Sequence, residues 1–561
     1  MDRVHSVATV RAAELGVDAT FEPELPGPPA ESPASSRPPV VLHVVGVAVA
    51  VAFAAPVLYV AWRALALGGD RGEVVLESLA PAWRTVQLAV LVTTATVVLG
   101  VSLAWLLTRT DLPLAPLWRV LAPLPLVFPS FIGAAAFIAG LGPEGVLREA
   151  LELVGYHPPR RFRGLGASVL VLTLFTYPLV YLPVAARLAT LPPQLEESSR
   201  LLGDRPARTF RRVVLPVVRG AIAGGALLVL LYCLSEFGAV QLLGFDTLTR
   251  VVYATRLADR ATSFTAAAIL VVMALAAIVV ERRVRGPLDH RTGAASRHGR
   301  AVPLGRWTAP ATAFVVVVLG LALAVPVVSL GQWAWRSVAD ADEPRPEALR
   351  HQLGSLSTPA WTTAWLGVVA SVVAVAVVVP VAVLAVRHRT RISAAVTTSI
   401  TAGFAVPGLV IALSLTFWAL RAPGVAALYQ TVPLLIVAYV VHFGAQALRS
   451  SELAVGSVPR ALDESALLLG ASPWRRAVTV HLPLMAPGLL AGGGLVMLSV
   501  LKELPATLLL APIGYETLTT RVWGAFEDGF LAEAGFGAIA LVAASALLTW
   551  LIVLRRSHHL A

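Results

Sequence analysis

At 561 residues, with 57% hydrophobic and 14% charged side chains and a mean hydropathy of +0.77, the chain is too apolar for a water-soluble protein and reads as an all-α polytopic membrane protein. Its formal net charge of +11 comes from arginines beside apolar runs, not from a basic domain with interleaved aromatics, so membrane topology accounts for it and nucleic acid does not. The single cysteine, Cys233, excludes an intrachain disulfide and a cysteine metal cluster, and the lone Lys502 is followed by Glu503, which excludes a P-loop.

Residues 1–39 are rich in Pro, Ala, Glu and Ser without an apolar run or a cleavage pattern, which predicts a disordered cytoplasmic tail. About 12 spans of bilayer length follow. Those of the first half are Val41–Trp62, Thr85–Leu107, Trp118–Gly140, Ala167–Ala189, Val217–Leu234 and Ala261–Val280. Those of the second are Ala309–Leu330, Trp361–Val386, Ala394–Leu420, Val432–Leu448, Leu484–Leu510 and Gly535–Leu554. The expected divisions are a first half at 40–281 with its core at about 84–281, a basic cytoplasmic linker at 282–306, and a second half at 307–556 with its core at about 361–555.

An even number of spans before the linker makes two parallel six-helix halves. Arginine placement puts both termini, the linker, Arg387 to Arg391 and Arg555-Arg556 on the cytoplasmic side; Asp340, Asp342, Glu343, Glu347, Glu527, Asp528 and Glu533 fall outside. Arg160, Arg161 and Arg163 depart from the trend. Prolines inside the spans (Pro56, Pro129, Pro178, Pro183, Pro326, Pro380, Pro407 and Pro433) are candidate hinges or ordinary membrane-helix prolines.

One stretch occurs twice. Glu197–Pro216, ESSRLLGDRPARTFRRVVLP, returns as Glu464–Pro483, ESALLLGASPWRRAVTVHLP, and Glu, Gly, Pro, Arg and the final Pro all repeat at a spacing of 267 residues. Each copy predicts a short helix, a turn in which Gly203 or Gly470 takes a positive φ, a second helix started by Pro206 or Pro473, and a return to the membrane. An isolated amphipathic loop is the plain alternative; two gapless copies in a duplicated chain favour a functional one.

These residues resemble the EAA loop of ABC-importer permeases. The first copy supplies Glu197-Ser198-Ser199, Gly203 and Leu215-Pro216, and the second Glu464-Ser465-Ala466, Gly470 and Leu482-Pro483. Serine replaces alanine at three small positions, and valine replaces isoleucine in both copies. The resemblance implies two permease halves fused in one chain with the type I ABC importer (MetI-like) fold, non-catalytic and multi-pass in a bacterial plasma membrane. It also implies that two ATPase subunits, as a homodimer, dock on these loops and hold ATP and Mg, so that no cofactor belongs to this chain. An extracytoplasmic binding protein delivers the substrate.

About 20 residues after Pro216 comes Glu236, and Glu503 repeats it at the same spacing of 267. Twenty residues of helix cover the hydrocarbon thickness, so both carboxylates are expected near the outer face, either lining a mouth for a cationic substrate or facing water and pairing with Lys502 or an arginine. The words Leu234 to Val240 and Lys502 to Leu510, with Phe245 to Thr249 and Tyr515 to Thr519, are similar to ferric-iron permeases of the fused type. Ferric iron is thus the implied substrate; thiamine, aminophosphonate and polyamine importers are the alternatives within the class. A secondary transporter driven by an ion gradient is the alternative outside it, and it leaves two EAA loops unexplained.

Overall fold

The computed structural model describes residues 40–66, 71–159, 161–285, 302–339 and 344–557. The expected tail, most of the expected linker, and Arg160, Asp340, Asp342 and Glu343 lie outside the described residues. Helix dominates, and among the described residues the one β contact is an isolated bridge between Thr110 and Val302.

Among the described residues ten helices are long and apolar enough to cross a membrane; Val40–Ala66, for instance, has 27 residues, or about 40 Å at 1.5 Å each, against a hydrocarbon core of about 30 Å. The two expected spans Trp118–Gly140 and Ala394–Leu420 are not straight. Each is a pair of helices, Ala115–Val127 with Ser130–Gly140 and Arg391–Gly403 with Gly408–Arg421, bent by 100°. The bends fall at Pro129 and Pro407, whose ψ values of 141° and 137° are extended and whose missing N–H cannot continue the first arm. The expected span Leu484–Leu510 also breaks: the helix Leu482–Leu501 stops, and Pro505–Leu510 begins anew.

Each bent pair still carries the chain across once. Arg109, ending the helix Arg71–Arg109, donates to the Leu191 carbonyl at 3.1 Å and pairs with Glu196 at 3.2 Å, so that end lies on the face of the first repeated block. Between Arg109 and the block stand only the bent pair and the span Leu165–Ala189, and two crossings are needed to return to the same face. Arg387 repeats the contact in the second half, donating to the Val458 carbonyl at 3.4 Å. The count is therefore twelve, the upper of the two that the helices permit.

Three helices form the heart of each half: Arg71–Arg109, Pro178–Ala189 and Leu215–Ser235 in the first, and Arg345–Arg387, Val432–Gly456 and Leu482–Leu501 in the second. Small residues let them approach. A Cβ on Gly225 would stand 2.8 Å from the Leu179 carbonyl oxygen, and one on Gly492, its counterpart 267 residues on, 2.7 Å from Ser450 Cβ.

The leading helices cross over between halves. Val40–Ala66 packs on the last span of its own half, Arg260–Arg285, and on the second half's bent pair; Val325–Ala339 packs on Leu531–Ser557 and on the first half's Ser130–Gly140. Phe53 occupies a notch at Gly444, where an added Cβ would meet its ring at 2.5 Å, and Ser414 donates to the Pro56 carbonyl at 2.6 Å. Each half is thus clasped by the other's first span.

Three π-helical turns interrupt the spans: Phe210–Val214, Gly320–Ala324 and Ala477–His481. Each ends two residues before a proline (Pro216, Pro326 or Pro483). A proline ring clashes with the carbonyl four residues back, and a wider turn relieves the clash.

Candidate functional site

The two repeated blocks fold alike. Pro193–Leu201 leads through Gly203, at φ 88°, into Pro206–Thr209; Arg460–Leu468 leads through Gly470, at φ 73°, into Pro473–Arg476. Behind each glycine an N–H reaches five residues back, Asp204 to the Ser199 carbonyl at 3.1 Å and Ala471 to the Ala466 carbonyl at 3.0 Å. This is a helix end closed by a left-handed residue, for which glycine carries no Cβ penalty.

Side chains of the blocks divide into anchors and free surface. Ser199 is buried, its hydroxyl donating to Asp204 Oδ2 at 3.0 Å and lying 3.1 Å from the Thr209 hydroxyl, whereas Ala466 offers no such contact. Glu197, Ser198, Glu464 and Ser465 are exposed, as are Leu215, Pro216, Leu482 and Pro483. Within the blocks the most exposed apolar residues are the two that precede each glycine: Leu201 and Leu202 at 88% and 86%, Leu468 and Leu469 at 88% and 87%. Two adjacent leucines held out beside a fixed turn, twice, form a pair of apolar knobs. The local signal for these leucines is the LLG word, present in both copies.

The blocks are anchored differently. The first is tied to a core span by Arg109–Glu196 and by Trp105 edge-on to Phe210, ring centroids 5.0 Å apart. The second is tied within itself: Asp463 Oδ1 accepts from Arg476 Nη1 at 3.0 Å and lies 2.9 Å from His481 Nε2. Burial works to raise the Asp463 carboxyl, but the His481 hydrogen bond and the charges of His481 and Arg476 outweigh it and hold the group below its ordinary value.

Glu236 and Glu503 are not at an open outer mouth. They are buried, at 6% and 9% exposure, because the chain folds back over each: the Thr249 hydroxyl donates to the Glu236 carbonyl at 2.6 Å and the Thr519 hydroxyl to the Leu501 carbonyl at 2.7 Å. Each carboxylate caps the short helix that follows, Glu236 accepting from the Ala239 N–H at 2.8 Å and Glu503 from the Ala506 N–H at 2.9 Å. Lys502 does not pair with Glu503; its Nζ donates across the halves to the Leu126 carbonyl at 2.7 Å.

Both carboxylates lie beside the bends. Ser130, just after Pro129, donates to Glu236 Oε2 at 2.7 Å. Its counterpart after Pro407 is Gly408, where an added Cβ would stand 2.9 Å from Glu503 Oε1 and 3.1 Å from His442 Nε2. The two breaks also meet each other, since a Cβ on Gly238 would be 3.2 Å from Leu504 Cδ2. Bent pairs, broken fifth spans and both acids thus converge on one buried centre. Among the described residues no group of three or more His, Cys, Asp and Glu side chains is placed to hold a metal ion.

The family described as binding-protein-dependent transport system inner membrane component matches residues 97–285 and again 376–558. Along nearly its whole length the chain is similar to an Fe(3+)-transport system permease protein of Haemophilus influenzae, 29% identical over 532 residues, which is 92% of this chain and 98% of that one. Over shorter stretches it is similar to a sulfate transport system permease protein of Escherichia coli, 28% identical over 216 residues (37% of this chain, 73% of that one). It is also similar to a molybdenum transport system permease protein of the same organism, 29% identical over 164 residues (28% and 70%).

Proposed function

The chain belongs to the binding-protein-dependent transport system inner membrane component family, and is a multi-pass permease of the ABC-importer class; from that premise we propose that it imports ferric iron. Both permease halves reside in one chain, with the divisions 40–281, 282–306 and 307–556 expected from sequence. The repeated blocks, with the loop ends and both termini, face the cytoplasm, each block seating in one of two identical ATPase subunits that hold ATP and Mg. An extracytoplasmic binding protein delivers the substrate to the opposite face.

The observation that carries this reading is the pair of glycine turns, Gly203 and Gly470, each presenting two leucines more than 85% exposed. Apolar knobs of this size on a rigid turn gain free energy only by entering a partner's cleft. When the ATPases close, the two blocks move together, and the spans that start at Pro216 and Pro483 transmit the motion to the central break. There Glu236 and Glu503 serve as pathway carboxylates beneath the outer surface, reached by substrate when the bent pairs part.

Ferric iron is favoured because the relative named for it matches this chain in both halves, over 92% of this chain and 98% of its own; the sulfate and molybdenum relatives, of similar identity, are shorter chains matched over 73% and 70% of theirs. The test is uptake into vesicles containing the permease, its ATPase and its binding protein. ATP-dependent accumulation of labelled ferric iron is the expected result. Accumulation of labelled sulfate, molybdate, thiamine or an aminophosphonate without iron refutes the substrate and leaves the importer class standing.

A further inference from the structure

Arg63 is a buried arginine with no ion pair among the described residues. It lies in the last turn of Val40–Ala66, is 6% exposed, and its Nε and Nη2 make no hydrogen bond; neither does the buried Tyr59 hydroxyl one turn earlier. Its guanidinium carbon is 5.5 Å from the Trp62 ring and 5.8 Å from that of Phe264. Phe264 packs on Tyr59 and Phe417, and Arg260 stands 5.3 Å from the Phe417 ring. Arg421, closing the helix Gly408–Arg421, and Arg260 are both within electrostatic range of Arg63. Asp259, the neighbour of Arg260, is engaged by the Thr262 N–H at 3.1 Å and hydroxyl at 2.5 Å. Two exposed arginines, Arg260 and Arg421, thus lie within electrostatic range of the orphaned donors of Arg63 and Tyr59, an arrangement that is unfavourable unless an anion enters.

The other half shows how such a place is closed. Ala61-Trp62-Arg63 repeats as Ala334-Trp335-Arg336 on the second leading helix, and Arg336 Nη2 pairs with Glu144 Oε2 at 3.0 Å. Glu144 belongs to the turn LGPEGV, Leu141–Val146, that follows the first bent pair. The corresponding turn after the second bent pair, LRAPGV at Leu420–Val425, has no acid and carries Arg421 instead. An internal carboxylate neutralises one copy of the motif, and among the described residues no carboxylate pairs with the Arg63 of the other.

We propose that Arg63, Arg260 and Arg421 form a phosphate-oxyanion site, with Tyr59 as a further donor, filled by the headgroup of an anionic phospholipid or by free phosphate. Arginine forks match phosphate oxygens in pairs. The surroundings suit a lipid: Leu58, Trp62 and Leu65 on the same helix are 63%, 57% and 67% exposed, and Arg260 lies one full span, Phe210–Ser235, from the first repeated block, at the opposite membrane boundary. An anion bound there bridges the first leading helix to the second half's bent pair, as the Arg336–Glu144 ion pair joins the second leading helix to the turn after the first bent pair.

Native mass spectrometry of the purified full chain tests this. Delipidation that strips phosphatidylcholine is expected to leave one phosphatidylglycerol on the unmodified protein, and Arg63→Gln or Arg421→Gln to cut its retention about tenfold or more. Arg336→Gln, at the ion-paired copy, is expected to leave retention unchanged. Arg421 is exposed, so its variant reports even where Arg63→Gln fails to fold. Inorganic phosphate is added separately to protein in phosphatidylcholine nanodiscs. A rise in thermal stability that Arg421→Gln abolishes, with no retained phosphatidylglycerol, assigns the site to free phosphate. If neither probe separates the unmodified protein from both variants, the proposal is overturned. None of these arms uses ATP or an ATPase, so their outcome is independent of the importer reading.

Discussion

Replacing Leu201 and Leu202 together by alanine isolates the contribution of one apolar knob. Both side chains are more than 85% exposed, so the chain's own stability should change by no more than about 0.5 kcal/mol. Docked in a partner's cleft, each leucine gains roughly 2 kcal/mol from burial, most of which alanine cannot recover. The pair is therefore worth about 4 kcal/mol, or about a thousandfold in dissociation constant. The assay is titration of the purified ATPase against the permease in nanodiscs, with melting temperature measured alongside. Leu468→Ala with Leu469→Ala should weaken binding similarly, because the second turn exposes its leucines to the same degree. Unchanged melting with greatly weakened ATPase binding is the expected result. A dissociation constant within about twofold of the unmodified value, in both double variants, refutes the docking role of the blocks.

Gly203→Asp and Gly470→Asp should leave the protein inserted but uncouple transport: neither added Cβ meets an atom within 4 Å, so the effect comes from strain at positive φ, about 1–2 kcal/mol, and from the charge brought to the docking surface. Vesicle uptake at the unmodified rate by either variant contradicts this. The two need not be equal, since only the first block is held to a core span by Arg109–Glu196. Glu236→Gln combined with Glu503→Gln should lower uptake about tenfold, as loss of roughly 1.4 kcal/mol of attraction for a cationic substrate would give, while ATPase stimulation survives; normal uptake reduces the acids to helix caps. Gly444→Ala should destabilise the clasp between halves by about 1–3 kcal/mol, and by less when Phe53→Leu makes room. Strictly additive melting shifts in that double variant disprove the notch.

Much of the architecture was legible because it is local. A run of about 20 apolar residues has to be in lipid wherever its neighbours are, and a glycine between two short helices takes positive φ because of its own missing Cβ. The 267-residue repeat, the twin turns and the family follow from such features. Even the π turns have a local signal, a proline two residues on. The burial of Glu236 and Glu503 was not legible, because counting residues along a span locates the helix end and not what folds back over it.

The sequence by itself determined a duplicated polytopic membrane chain with two matching turns, because hydropathy and backbone preference belong to each residue alone. Only the tertiary structure decided the exchange of leading helices, the meeting of both breaks at one centre, and the difference between a paired Arg336 and an unpaired Arg63. Those depend on steric and electrostatic fit between residues hundreds of positions apart, such as Phe53 with Gly444 or Arg336 with Glu144, and neither member of such a pair carries a local sign of the other.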